Sequence, residues 1–212
     1  MYRILIVDDH PLFREGLGTV ISHHADLEVC GEAENVLNAM KLVDATDPHV
    51  VIVDISLKDS NGLDLIKRLM VQGKPVRVLV LSMHDETLYA ERVLRAGAMG
   101  YVNKQEARRT IVAAIRRVLK GKVYLSDEMS HRMLTKLGGQ PVAESPLERL
   151  TDREIQVFDY LGEGLPPRQI AKKLYISSKT VESHTDNIRK KLNFETTGEL
   201  KRYAVETLLQ KG

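Results

Sequence analysis

The sequence predicts two domains of different class. The first is an α/β domain on a five-stranded parallel sheet covered by helices on both faces, and the second is an all-α domain of four helices. Three observations carry this reading. Over residues 1–120, short apolar runs alternate with helical patterns. Those runs are apolar throughout rather than alternating, as strands buried on both faces are. From residue 149 onward, the apolar residues keep helical spacing only.

The strands are read in order at "RILIVDD", "LEVCGEA", "HVVIVD", "PVRVLVLS" and "GYVNK". Five helices are expected to alternate with them, four marked by the apolar triplets Phe13, Leu17, Val20; Val36, Met40, Val43; Leu63, Ile66, Met70; and Ile111, Ile115, Val118. Cys30 within "LEVCGEA" reads as a buried small apolar residue. Residues 121–148 form a linker with a helix near 127–137, capped by Ser126 and carrying Asp127 and Glu128 in its first turn. The helix runs out into "LGGQPVAESP", a boundary rich in glycine and proline. The domain over 149–212 opens on "LTDREIQVFDYL", where Thr151 and Glu154 form a capping box. Gly162 and Gly164 end that helix, and Pro166–Pro167 suits entry to the next, "RQIAKKLYIS". Ser177 caps "SKTVESHTDNIRKKL", and "TGELKRYAVETLL" follows.

The 212 residues suffice for two domains. No uncharged apolar stretch approaches the ~18 residues of a membrane span. The first residues read as a strand followed by acids, not as a signal peptide. A cytoplasmic protein without membrane association is expected. One cysteine excludes an internal disulfide and a thiolate metal site. The net charge of +2 is uneven, being zero over 1–120, −1 over 121–148 and +3 over 149–212. The basic excess lies where a polyanion could be met.

One stretch, "HVVIVDISLKDSNGL", drives an apolar run into a single acid, Asp54. Burying an unpaired carboxylate costs several kcal/mol, so a cation or water must await it. In an open parallel sheet, ligands gather outside the carboxyl ends of the strands. Asp8 and Asp9 end the first strand, Asp54 the third and Ser82 the fourth, and Lys104 follows the fifth. All five come to one edge. Three oxygen-donor acids suit Mg²⁺. A carboxylate beside Mg²⁺ and an ammonium is arranged to attack a phosphoryl group. An acidic pair alone would be no more than favourable charge at a helix start; the three further strand ends distinguish this cluster.

"LPPRQIAKKLYISSKTVESHTDNIRKKL" fits a helix-turn-helix. Ile170, Ala171 and Leu174 give one helix an apolar face, and Val181, Thr185, Ile188 and Leu192 give the second a matching stripe. Lys179, Glu182, Ser183, Asp186 and Lys190 then point outward, in a geometry whose second helix enters the major groove. Arg168, Lys172, Lys173, Lys190 and Lys191 would neutralise phosphates. Ser178, Thr180 and Asn187 share this candidate interface. Glu182 could accept a hydrogen bond from cytosine and so help to choose a site. His184 reads as packing, and His23–His24 and His131 lack companions at metal-ligand spacing.

With these motifs in hand, residues 1–120 resemble the receiver domain of two-component response regulators. Residues 149–212 resemble the LuxR-type helix-turn-helix domain, through "LTDRE", "IAKKLYIS", "KTVESH" and "IRKKL", and the whole chain is similar to the NarL/FixJ subfamily. The resemblance implies a flavodoxin-like sheet in the order 2-1-3-4-5. It implies that Asp54 accepts phosphate from a sensor histidine kinase. Asp9, Asp54 and the Ser56 backbone carbonyl would hold Mg²⁺, with Asp8 acting partly through water, and Ser82 and Lys104 would bind the phosphoryl oxygens. Tyr101, which residue patterns alone would assign to packing, becomes a switch residue. Leu200, Ala204, Val205 and Leu208 become a homodimer contact on double-stranded DNA, with an inverted-repeat operator of half-sites ~10 bp apart. Leu57–Lys58 replaces the Met-Pro common in the family, and Gln105 replaces a proline, while Gly62 is retained. Lys58 is expected to alter the lifetime of the phosphate.

Two rival functions follow from the same residues. One is a constitutive DNA-binding regulator whose first domain only dimerises, although such a domain need not keep Asp8, Asp9, Asp54, Ser82 and Lys104 together. The other is an aspartate-nucleophile phosphohydrolase, but those enzymes carry a second acid two residues after the nucleophile, where this chain has Ser56. The chain is therefore expected not to be an enzyme beyond slow self-dephosphorylation.

Overall fold

The computed structural model describes residues 1–57, 60–139 and 145–209. The chain divides into two compact units, Met1–Val142 and Ala143–Gly212.

In the first unit, five parallel strands run in the order β2-β1-β3-β6-β7: β1 Tyr2–Val7, β2 Leu27–Ala33, β3 Val50–Val53, β6 Arg77–Ser82 and β7 Gly100–Asn103. Since β6 and β7 are the fourth and fifth strands of the sheet, this is the 2-1-3-4-5 order that the resemblance implies. Two short strands, β4 Ser56–Leu57 and β5 Ser60–Asn61, pair antiparallel beyond the end of β3. Helices α1 Pro11–Ser22, α2 Val36–Thr46, α3 Gly62–Val71, α4 Glu86–Arg95 and α5 Ala107–Leu119 alternate with the sheet strands. Central strands β1, β3 and β6 are buried on both faces, with Ile4, Ile6, Ile52, Leu79 and Leu81 packed against Leu17, Ile111 and Ile115.

The edge strand departs from the continuously buried pattern. β2 pairs with β1 alone, Glu28 and Glu32 are exposed, and Cys30 is half-buried with its Sγ 3.4 Å from Thr46 Oγ1. A second correction concerns α3: Leu63, Leu65, Ile66 and Leu69 form its buried face, whereas Met70 is 37% exposed.

Helix α6, Asp127–Leu137, starts at the Ser126 cap as expected. It packs on α4 of the same unit, with Met129 buried, a 2.9 Å pair between Lys136 and Glu91, and the Ser126 N–H donated to Glu86.

In the second unit, a short 3₁₀ turn, Pro146–Arg149, precedes α7 Asp152–Gly162, α8 Pro167–Leu174, α9 Ser178–Lys191 and α10 Thr197–Leu209. The Thr151–Glu154 capping box and the Ser177 cap both form. Gly162 is the last residue of α7, as expected, and it has a second role: a Cβ there would lie 2.8 Å from the Ala204 carbonyl oxygen, so its hydrogen lets α10 close on α7. The left-handed turn falls on Gly164.

Candidate functional site

Register brings the strand-end residues together. The Asp54 N–H donates to the Val7 carbonyl, and the Lys104 N–H to the Ser82 carbonyl, so each ladder extends one residue past its strand. Asp8, Asp54, Ser82 and Lys104 are all buried. Lys104 Nζ lies 2.6 Å from both Asp8 Oδ2 and Asp54 Oδ2, and 4.6 Å from the centroid of the Phe13 ring. The cation that the buried Asp54 requires is therefore Lys104, shared with Asp8. Burial pushes the Asp54 carboxyl up, and Lys104 offsets that only in part. For Lys104 burial acts downward, but Asp54 and Asp8 outweigh it and hold the ammonium above its ordinary range.

The second Asp54 oxygen accepts the Ser56 N–H at 3.2 Å. Asp9 stands apart from the lysine. Its Oδ1 is buried and takes no hydrogen bond among the described residues, although His10 Nδ1 is 2.9 Å away. Asp8, Asp9, His10 and Asp54 offer ligand atoms that all lie within 4.8 Å of one another. A buried oxygen without a donor, among further oxygens, fits a hard divalent cation.

The position of Asp54 depends on the residue that follows the small hairpin. A Cβ on Gly62 would lie 2.1 Å from the Asp54 carbonyl oxygen, and the Gly62 N–H donates to the Ile55 carbonyl. No other residue type fits without moving the strand end that carries the acid.

His84, two residues beyond Ser82, was not singled out in the sequence. Its N–H donates to Ser82 Oγ at 3.2 Å, its carbonyl accepts the Tyr101 hydroxyl at 2.6 Å, its Nε2 is 2.6 Å from Ser56 Oγ, and its ring stacks on Tyr89 at 4.7 Å. Tyr101 is buried, and that burial drives its phenol well above the ordinary range. One loop residue thus touches three of the expected site residues. Its separation from Ser82, by a single residue, was the only signal in the sequence. His10 was equally unremarked there, and Phe13 was read only as part of a helix's apolar face. The expectation for Lys58 lies outside the described residues.

In the second unit, α8 and α9 form the two helices of the helix-turn-helix. Arg168, Lys172, Lys173, Lys179, Thr180, Glu182, Ser183, Asn187 and Lys190 are exposed, and Ser178 and Asp186 are half-exposed. Two of the expected phosphate contacts are engaged internally. Lys191 Nζ lies 2.6 Å from Glu154, and Lys190 lies 2.7 Å from Asp186, which also holds Arg189. His184 is half-buried, and burial followed by the Arg153 charge lowers its imidazole. On α10, Leu200 and Ala204 are fully buried within their own unit, so of the four residues expected at a dimer contact only Val205 and Leu208 present surface.

A doubly wound sheet with acids, serine and lysine at its carboxyl edge, followed by a helix-turn-helix, defines a signal-receiving domain joined to a nucleic-acid-binding one. Comparison with known proteins makes the assignment specific. Residues 4–116 match the response regulator receiver domain, and residues 148–204 match the bacterial regulatory proteins of the luxR family. The chain is 34% identical over 206 residues to the transcriptional regulatory protein DegU of Brevibacillus brevis, covering 90% of this chain and 87% of that one. It is 32% identical to the DNA-binding transcriptional activator DevR/DosR of Mycobacterium tuberculosis, covering 97% and 95%. Among solved structures, RcsB of Salmonella enterica serovar Typhimurium, bound to promoter P1flhDC in the presence of the phosphomimetic BeF3-, superposes with a TM-score of 0.71 at 27% identity, covering 96% and 98%. The chain belongs to the response regulators of two-component systems, in the NarL-type group with a LuxR-type DNA-binding domain. It is a regulator of transcription controlled by phosphorylation. Among the described residues, no helix is long and apolar enough to cross a membrane.

Proposed function

We propose that Asp54 is the phosphoacceptor. A carboxylate oxygen of Asp54 forms a bond to phosphorus as the bond from phosphorus to the histidine nitrogen of a sensor kinase breaks, and the leaving group keeps the electron pair. Asp8, Asp9, Asp54 and the Ser56 carbonyl would hold Mg²⁺, which supplies positive charge to the phosphoryl oxygens. Lys104 and the Ser82 hydroxyl share that role. The shared ammonium carries the reading: Lys104 pairs with two buried acids at 2.6 Å each, so a tetrahedral anion arriving at Asp54 meets a cation already in place.

Phosphate would draw Ser82 toward Asp54, and the His84 N–H and carbonyl would pass that movement to Tyr101. The equilibrium moves only by the differential binding of phosphate to the two arrangements. The receiver then promotes a homodimer that places two copies of α9 in successive major grooves of an inverted repeat. Arg168, Lys172 and Lys173 neutralise phosphates, while Lys179, Glu182, Ser183 and Asn187 face base edges. Val205 and Leu208 supply exposed apolar surface for the contact on DNA. Residues 1–120, 121–148 and 149–212 serve as receiver, linker and DNA-binding domain.

The test is incubation with Mg²⁺ and acetyl phosphate, with intact mass and light scattering followed together and Asp54→Ala as control. One added phosphate, absent in the control and accompanied by a dimer, is expected. Failure to label under conditions that label another receiver would instead support a constitutive DNA-binding protein.

A further inference from the structure

The cation pocket contains a nitrogen donor that a Mg²⁺ site does not need. His10 Nδ1 lies 2.9 Å from Asp9 Oδ1 and 3.2 Å from Asp8 Oδ1. It belongs to the same set of ligand atoms, all within 4.8 Å, as the three carboxylates. His10 occupies the N-cap of α1, where Ser, Thr, Asn or Asp would satisfy a helix N–H. Its side chain makes no capping hydrogen bond, and the ring faces the acids instead, bonded to Asp8. The imidazole is 65% exposed while the side chains of Asp8 and Asp54 are 3% exposed, so the nitrogen stands at the mouth of the pocket and the acids form its floor. Beside it is the buried Asp9 Oδ1, which takes no hydrogen bond among the described residues.

We propose that His10 is a ligand to the divalent cation of this pocket and turns an all-oxygen site into a mixed oxygen–nitrogen one that favours a late first-row ion of the Co²⁺, Ni²⁺ or Zn²⁺ class over Mg²⁺. Imidazole suits those ions, whereas Mg²⁺ is bound through oxygen and keeps several waters. The bland alternative is that His10 only pairs with the acids as a cation. That role would use its charge and not a ring lone pair, and the two differ in what a metal ion experiences. The inference rests on the reading of Asp8, Asp9 and Asp54 as the cation site. Its consequence is regulatory: a late transition-metal ion competes with Mg²⁺ for the pocket in which Asp54 is phosphorylated.

The full chain is titrated with Co²⁺, followed by its visible absorption, and the same site is displaced with Mg²⁺. Pulsed electron paramagnetic resonance of the Mn²⁺-loaded chain then reads nitrogen coupling. In His10→Gln, the ratio of Co²⁺ to Mg²⁺ affinity is expected to fall by about tenfold or more, and the nitrogen coupling of the Mg²⁺-displaceable ion to vanish. An unchanged ratio, or no nitrogen coupling in the parent chain, overturns the proposal while leaving the acid pocket intact. Asp9→Asn separates the two levels. If it keeps full Mg²⁺-displaceable Co²⁺ binding, Asp9 is not a ligand, and the reading of Asp8, Asp9 and Asp54 together as the cation site falls along with the proposal.

Discussion

Lys104 and Asp54 meet at 2.6 Å across the ends of two strands that are not neighbours in the sheet, and the same ammonium holds Asp8 at the same distance. Two buried acids therefore depend on one base. Replacing Lys104 with Met removes the cation and leaves both carboxylates in an apolar setting. The loss is expected to be about 3 kcal/mol near neutral pH. It should shrink at about pH 5, because a carboxyl raised by burial carries its full cost only above its folded pKa and sheds that cost progressively as pH falls toward the unfolded value of 3.8. Hydrogen exchange of the β1 and β3 amides at both pH values measures this. Equal protection in parent and variant near neutral pH would show that Lys104 is not the counter-ion.

The Gly62 site is narrower still. Its missing Cβ would sit 2.1 Å from the backbone oxygen of Asp54, a contact that a side-chain rotation cannot relieve. Gly62→Ala must move either the start of α3 or the end of β3. The expected cost is about 1–3 kcal/mol of stability, by the mechanism of overpacking, together with slower labelling by acetyl phosphate. Thermal unfolding and intact mass check the two effects. Parent-like labelling by a destabilised variant would separate the fold from the site.

The Tyr101 hydroxyl is tied to the β6–α4 loop by its bond to the His84 carbonyl at 2.6 Å, beside a side-chain hydrogen bond with Ser82. Tyr101→Phe keeps the ring and deletes the hydroxyl, at an expected cost of about 1 kcal/mol. Faster amide exchange at Met83, His84 and Asp85, with labelling of Asp54 retained, is the expected result. Unaltered exchange in that loop would mean that Tyr101 does not restrain it.

Most of this architecture was legible because it depends on periodicity. The buried runs of β1, β3 and β6 and the caps at Ser126, Thr151 and Ser177 are local signals, and the structure repeats them. Collecting Asp8, Asp54, Ser82 and Lys104 needed only the rule that parallel strands share a carboxyl edge. What was not legible depends on pairwise geometry. The half-burial of Cys30 follows from the edge position of β2, which the resemblance implied and the composition of "LEVCGEA" did not. The role of Gly162 as a contact with α10 requires knowing that α10 packs there. Lys191 reads as a basic side chain in sequence, and only the fold brings Glu154 beside it.

That last pair separates two kinds of lysine on the DNA-binding unit. Lys172 is exposed, whereas Lys191 is held at 2.6 Å by a carboxylate whose side chain is 4% exposed. Each phosphate contact contributes about 0.9 to the slope of log affinity against log salt. Lys172→Ala is expected to reduce that slope by about one, and Lys191→Ala to leave it unchanged while loosening the unit. Fluorescence anisotropy with labelled duplex DNA over a salt series provides the slopes. A full unit of slope lost in Lys191→Ala would assign that lysine to the DNA.

Glu154 itself gives a pH signature. Burial acts to raise its carboxyl, but the Lys191 ammonium and the Thr151 N–H and hydroxyl, at 2.6, 2.7 and 3.0 Å, overcome this and hold it below the 4.5 of a free glutamate. A carboxyl lowered by folding contributes stability that is complete above its unfolded pKa and is lost as pH falls through the folded value. The helix-turn-helix unit should therefore weaken below about pH 4.5 as Glu154 is protonated and both the cap and the tie to α9 fail. Glu154→Gln is expected to cost about 1–3 kcal/mol near neutral pH and to flatten this acid limb, since the amide has no charge left to lose. Amide exchange in α7 and α9, compared at about pH 6 and about pH 4, reads both effects. An acid limb of undiminished steepness in the glutamine variant would place its origin in another carboxylate.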